Sequence, residues 1–251
     1  MLFLRWMHKW VGLILGLQFV LWTFSGGVMA LLDHHKVSAD AAVQPQPDVS
    51  LPANLLSLPD VATAAGAPVL KLQLKPLFDR YVYEATTPAG VRLIDAVSGR
   101  RLDVDAARAK ILAVAAYSGF EPVTSVTRVD KTTLETRKFA LPAWRVGFAD
   151  KDHTALFVSA ETGEVLGAKN DTWRLWDVVW MIHIMDYTER NSFNHPLIIT
   201  VATGVAWLAI TGLILLVRSF RASDVAWITA PFERFAVRRR ARTPDPSQAV
   251  E

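Results

Sequence analysis

The chain has no cysteine among its 251 residues. Disulfides, thiolate metal sites, cysteine-ligated iron–sulfur clusters and haem attached covalently through cysteine are therefore excluded. The absence leaves the compartment open, because exported domains also do without cysteine. Also missing are a G-x-S-x-G elbow, an H-E-x-x-H pair, a Walker loop and a dinucleotide-binding glycine pattern. No hydrolase arrangement stands out, and any reductase activity needs an electron source outside the chain. A third absence is local. Charged residues make up 20% of the sequence, yet none falls in the run from Val11 to Leu32 or in the run from Pro196 to Val217.

A helix rising 1.5 Å per residue needs about 20 apolar residues to cross a ~30 Å hydrocarbon core. Both runs meet that length, and a buried helix of a soluble protein seldom runs so far without a polar face. The first run also competes with a cleaved signal peptide. Arg5 and Lys9 give a basic leader, and Val28-Met29-Ala30 suits a small-residue cleavage rule. The run is, however, longer than the ~7–15 apolar residues of a usual signal. Gly12-x-x-x-Gly16 and Ser25-Gly26-Gly27 within it are small residues that let another helix approach closely. An uncleaved anchor is the better reading.

Orientation follows from the basic residues, which stay on the cytoplasmic side. Arg5 and Lys9 precede the first run with no acid, and seven arginines against four acids lie from Arg218 onward. Between the runs, Asp33 to His195 holds 18 basic and 20 acidic residues. Both chain ends are thus expected in the cytoplasm and the middle outside, and the pI near 9.3 becomes a signal of topology. For Arg238-Arg239-Arg240-Ala241-Arg242, anionic membrane lipid is a simpler partner than nucleic acid beside a span. The expected layout is a cytoplasmic start (1–10), a first span (11–32), a linker (33–54), an outer domain (55–169), an interfacial segment with its connector (170–195), a second span (196–217) and a basic tail (218–251).

Within the linker, Val37 to Pro52 is rich in Ala, Pro, Gln and Asp and reads as extended. The outer domain carries an internal repeat. Arg92-Leu93-Ile94-Asp95-Ala96-Val97-Ser98-Gly99 aligns with Leu156-Phe157-Val158-Ser159-Ala160-Glu161-Thr162-Gly163, each a β run ending in a glycine turn. Further β runs precede them, Tyr81 to Ala85 and Trp144 to Phe148. Val104 to Tyr117 predicts a helix capped by Asp103 or Asp105, with Ala107, Ile111, Val114 and Ala115 on one face. Pro59 to Ala67 is its weaker counterpart. A helix followed by antiparallel strands, twice over, gives an α+β domain between two transmembrane helices.

The strand Trp144-x-Val146-x-Phe148 and the hairpin Phe157, Val158, Ala160, Thr162, Gly163, Glu164, Val165 resemble a PepSY domain. The N-terminal Arg5-Trp6-Met7-His8-Lys9-Trp10-Val11-Gly12-Leu13 and Leu21-Trp22-Thr23-Phe24-Ser25-Gly26 resemble the PepSY-associated transmembrane family. Larger relatives in that group include bacterial inner-membrane ferrisiderophore reductases, which carry b-type haem between transmembrane helices. The resemblance implies a bacterial inner-membrane protein with a periplasmic domain, haem b as cofactor and an iron complex or a peptide as periplasmic partner. Two spans do not complete a haem-binding bundle, so a homodimer or another membrane subunit is expected.

Five of the six histidines lie at span boundaries: His8, His34, His35, His183 and His195, with His153 alone in the outer domain. Imidazole is the usual axial ligand where haem is held without cysteine. His8 from two copies would supply a pair near the inner face, and His34 or His35 with His183 or His195 a pair near the outer face. Each histidine also has a plainer reading. His8 suits lipid headgroups, His34 and His35 a helix cap beside Asp33, and His195 the start of a helix before Pro196. From Asp171 to Tyr187, Trp173, Trp176, Trp180 and His183 share one helical face. The segment reads either as an interfacial helix or as a lid over an outer haem with His183 as ligand. Asp150, Asp152 and His153 are ordinary turn formers. The functional expectation is a membrane haem protein passing electrons to a ferric siderophore or other periplasmic iron complex. The competing one is a non-catalytic anchored module that binds a peptide, a protease or an envelope partner.

Overall fold

The computed structural model describes residues 2–190 and 192–219. The tail arginines Arg221, Arg234, Arg238, Arg239, Arg240 and Arg242 lie outside the described residues, so the lipid-contact expectation placed there has no structural counterpart. In chain order the elements are α1 (Leu2–Leu31), α2 (His34–Ser38) and α3 (Leu58–Ala65), followed by β1 (Lys71–Leu77), β2 (Arg80–Thr87), β3 (Gly90–Asp95) and β4 (Arg101–Leu102). Then come α4 (Ala106–Ala116), β5 (Val123–Val129), β6 (Ala143–Phe148), β7 (Ala155–Ser159), β8 (Val165–Lys169), α5 (Asp171–Ile184) and α6 (Pro196–Ser219). The chain divides into two compact units, one of residues up to Val20 with those from Asn194 onward, the other Leu21–Phe193.

In the first unit α1 packs on α6. Helix α1 starts at Leu2, so Arg5, His8 and Lys9 lie inside it rather than in a flanking segment. Leu2 to Trp10 contains no glycine, proline or β-branched residue, so nothing interrupts the helix there. Helix α6 opens on Pro196, whose missing N–H costs nothing at a first helical position. Small residues set the approach: Gly12 faces Leu208, and a Cβ on Gly204 would lie 2.8 Å from Leu15 Cδ1. Gly16 meets no neighbour within 4 Å among the described residues. Only 6% and 11% of the most apolar stretches of α1 and α6 are buried. Leu13, Ile14, Leu17, Ile210 and Leu213 stand exposed, which the core helix of a soluble protein would not allow.

The second unit contains two four-stranded antiparallel meanders, ordered β1-β2-β3-β4 and β5-β6-β7-β8. The sequence repeat carries β3 onto β7, the third strand of each sheet, and the strand ends match in detail. The Asp95 carboxylate accepts the N–H groups of Val97 and Ser98, and the Ser159 hydroxyl accepts those of Glu161 and Thr162. Gly99 and Gly163 close the two turns, donating to the Asp95 and Ser159 carbonyls at φ of 72° and 70°. One core joins α4 and the second sheet to Leu77, Val82 and Leu93 of the first. A second core packs Val61 and Ala65 of α3 on Tyr83, Ala85 and Ile94, which occupy the first sheet's other face. Lys75, 8% exposed, ties the repeats by ion pairs to Glu84 and to Glu164, the latter at 2.6 Å.

Three local expectations change. Helix α4 is capped by Asp105, which accepts from Arg108 N at 2.8 Å, but it buries Ala109, Leu112, Ala113 and Ala116. The face Ala107, Ile111, Val114 and Ala115 is exposed, with Ile111 at 68%. The helix is apolar nearly all round, so periodicity selects no face, and Leu112 fills the core instead. The segment from Val37 is not wholly extended. Asp33 caps α2, and a 3₁₀ turn follows at Asp40–Ala42. Val43 and Gln44 then bond to Tyr117 and Ala116, with Val37 and Ala39 as buried apolar anchors. Helix α5 buries a carboxylate, Asp177, and exposes Leu175 and Val178, the reverse of an ordinary surface helix.

Candidate functional site

The structure gives two of the five boundary histidines the same surroundings. In the first unit, His8 of α1 meets Thr211 of α6, Nδ1 to Oγ1 at 2.8 Å. The Thr211 hydroxyl turns back onto its own helix, 2.9 Å from the Trp207 carbonyl oxygen. The residue after it is Gly212, where a Cβ would come within 3.2 Å of His8 Cε1. In the second unit, His183 of α5 meets Ser25 of α1, Nδ1 to Oγ at 3.0 Å. Ser25 is 1% exposed and donates to the Leu21 carbonyl at 2.6 Å. The residue after it is Gly26, where a Cβ would lie 3.5 Å from His183 Cε1. Each imidazole therefore rests on a hydroxyl–glycine dipeptide of a neighbouring long apolar helix. Neither Nε2 makes a hydrogen bond among the described residues.

His183 is fixed at its backbone as well. It lies in the last turn of α5, where carbonyls lack helical partners. The Trp22 indole N–H supplies one, donating to the His183 carbonyl at 2.7 Å. Helix α5 ends at Met185 in the left-handed region. Its Trp176 and Trp180 rings stack 5.2 Å apart, and Phe193 packs edge-on against Trp180.

What holds α5 in place is ionic. Asp177, 2% exposed, takes Arg137 at 2.5 Å and Arg190 at 2.6 Å on its two oxygens. A buried carboxylate is tolerable only when paired and hydrogen-bonded in this way. Lys169, at the end of β8, lies 4.1 Å from the centre of the Trp173 ring. Burial, and then the neighbouring charges of Arg137 and Lys138, pull its ammonium down to about 8. Those effects outweigh the opposing pull of the Glu135 and Asp177 carboxylates.

The remaining histidines stand apart. His34 and His35 open α2 with exposed rings, and the His35 N–H donates to Asp33. His195 is half-buried and directly precedes α6, its carbonyl accepting from Ile199. His153 has φ of 46° and bonds Asp171 at 2.6 Å. With Arg174, it holds the Asp171 carboxyl below its ordinary range. Asp150 is spent on Thr154, as a turn former would be. No cluster of three or more histidine and acidic side chains fit for a metal ion occurs among the described residues.

The second unit also has a groove of about 660 Å³ between the exposed face of α4 and the β1–β2 turn. Leu77, Phe78, Ala107, Ile111 and Ala115 line it, with Asp79 and Arg80 at its rim. Phe78 sits at φ of 57°, a strained conformation for an aromatic residue.

Sequence reasoning missed the hydroxyls. The available signal was one Ser and two Thr, each followed by Gly, inside the charge-free runs (Ser25, Thr203 and Thr211), of which Ser25 and Thr211 meet a histidine. Asp177 was missed too, although it is the one acid within the Trp-rich stretch Trp173 to Trp180. A family model described as the PepSY-associated TM region matches residues 5–245. No curated protein and no solved structure matches the chain. Two long apolar helices with little protein cover, flanking an α+β middle, agree with that match, and the chain belongs to the PepSY-associated TM region family as a membrane protein.

Proposed function

We propose that the protein is a haem-binding electron-transfer component of a bacterial inner membrane, serving the reduction of ferric siderophores or other periplasmic iron complexes. The observation that carries this reading is the matched setting of His8 and His183. Both present an imidazole from a helix, with Nδ1 engaged and Nε2 unengaged by protein. The donor set fits a haem iron, since each site offers one imidazole nitrogen not bonded to protein and a glycine where a larger residue would crowd the ring. One chain supplies one such ligand per site, so a second copy or another membrane subunit provides the other. Bound haem b would supply one-electron chemistry; the chain's own residues hold and orient the imidazoles and exclude water.

In this reading both ends of the chain face the cytoplasm, membrane lipid surrounds α1 and α6, and the repeated domain faces the periplasm. His34, His35 and His195 remain secondary candidates for the outer pair. Electrons come from outside the chain, which has no nicotinamide or flavin fingerprint. The test is the visible spectrum of the protein purified in mild detergent from haem-replete cells, oxidised and then reduced with dithionite. A Soret band with sharp α and β bands, diminished by His8→Ala and by His183→Ala, is expected. A colourless preparation would sink the reading.

The groove supports a second reading, an anchored module whose outer domain holds an apolar peptide segment of a protease or envelope partner. An exposed Ile111 and a strained Phe78 on a concave surface are what such docking requires. A photo-crosslinking residue at Ile111 should then trap one product of discrete mass in cells. If only uncrosslinked protein is recovered, that reading fails.

A further inference from the structure

The two hydroxyl–glycine dipeptides do more than fill space. A serine or threonine hydroxyl has one proton. At Ser25 that proton goes to the Leu21 carbonyl at 2.6 Å, shorter than the 3.0 Å contact to His183. At Thr211 the His8 contact is the shorter, 2.8 Å, but two carbonyls of its own helix lie in reach, Trp207 at 2.9 Å and Leu208 at 3.1 Å, the bonds a threonine makes inside a helix when it faces no water. With the proton given to the backbone, each hydroxyl oxygen can only accept from the imidazole. We infer that Ser25 and Thr211 are positioning residues, which hold His183 and His8 in the Nδ1–H tautomer and leave each Nε2 lone pair for a haem iron. The inference rests on the haem reading but concerns only groups of this chain.

Three features fit this role better than plain helix packing. Ser25 is 1% and Thr211 5% exposed, so water does not compete for either contact. The hydroxyl precedes a glycine at both sites, and the glycine lets the ring lie against the helix. Free histidine favours the opposite tautomer, with the proton on Nε2, so Nδ1–H needs an acceptor to hold it. A ligating imidazole commonly donates its second N–H in this way, which fixes ring orientation and raises ligand basicity. Elsewhere that partner is a carboxylate or a carbonyl. A hydroxyl whose own proton is spent on a helix carbonyl performs the same task without placing a charge inside a long apolar helix, where charge is costly.

The test uses the full chain in detergent with ¹⁵N-labelled histidine, prepared without haem and, separately, loaded with it. Without haem, His8 and His183 should each show a protonated Nδ1 and an unprotonated Nε2. Ser25→Ala should shift only the His183 signals toward the Nε2–H form, and Thr211→Val only those of His8. Ser25→Thr and Thr211→Ser, which keep the acceptor, should leave them in place. In the loaded protein each acceptor-less variant should bind haem about ten-fold more weakly at its own site. Its midpoint potential should also rise, because a less basic imidazole stabilises the oxidised iron less. Nε2–H signals in the parent protein, or unchanged signals in both acceptor-less variants, would overturn the assignment even if the protein is red. A colourless parent overturns the haem reading, whatever the tautomers show.

Discussion

The His8 and His183 settings share a plan and differ in how they are supported. His8 stands on one long apolar helix and faces another, with Thr211 and Gly212 at its ring. His183 lies in the last turn of a shorter helix, and its position depends on an indole bond to its carbonyl and on a buried carboxylate holding two arginines. The difference teaches where polar groups are affordable. Between apolar helices a neutral hydroxyl is the partner chosen, because a charge there costs several kcal/mol. In the second unit, ionic clusters such as Asp177 with Arg137 and Arg190 are assembled from a helix and the loops beside it.

The comparison breaks most visibly at Asp177. Replacing it with Ala leaves two buried arginines unpaired, a change that costs about 3–5 kcal/mol. Denaturation of the second unit should show that loss, and the His183–Ser25 contact should disappear while His8–Thr211 persists. Equal loss at both histidines would mean that the two sites are not independently supported. A smaller contrast comes from the glycines. Gly212→Ala sets a Cβ 3.2 Å from the His8 ring, an overpacking cost of about 1–3 kcal/mol that outweighs the ~1 kcal/mol gained in helix propensity. Gly26→Ala meets His183 at an ordinary 3.5 Å, so the helix gain should dominate, with stability unchanged or higher by up to about 1 kcal/mol. Paired thermal scans of the two variants check this.

A pH-dependent effect is expected from Lys169. Its ammonium falls to about 8 when folded, against 10.5 as the ordinary value. Between those values the unfolded chain binds more protons, so the stability of the second unit should rise as pH climbs from about 8 to 10.5. Lys169→Met should be more stable than the parent at pH 7 and lose that advantage above pH 10.5. Denaturant midpoints at pH 7, 9 and 10.5 would show the convergence, and parallel curves would refute it.

Much of the architecture is legible in the sequence because it depends on local pattern. The two charge-free runs, Val11 to Leu32 and Pro196 to Val217, announce long apolar helices. The internal repeat announces two equal sheets, since Asp95 and Ser159 must each satisfy the N–H groups of a glycine turn. The buried face of α4 is not legible, because an almost uniformly apolar helix has no periodic signal. The docking of residues 37 to 44 was hidden because short apolar anchors such as Val37 and Ala39 look like linker residues until a partner surface exists.

At the candidate site the balance reverses. The sequence by itself determined that five histidines fall at the ends of apolar segments and that two of the long helices carry a hydroxyl followed by a glycine. It determined nothing about which histidine meets which hydroxyl. His8 and Thr211 are separated by 203 positions, and His183 and Ser25 by 158. Only tertiary structure brings such pairs within hydrogen-bonding distance, because hydrogen bonding acts over the reach of one side chain while sequence pattern records only neighbours along a helix or strand. The same physics separates Arg137 from Asp177 in the chain and joins them in the fold, and it left His34 and His35 exposed although their sequence positions looked equally suitable.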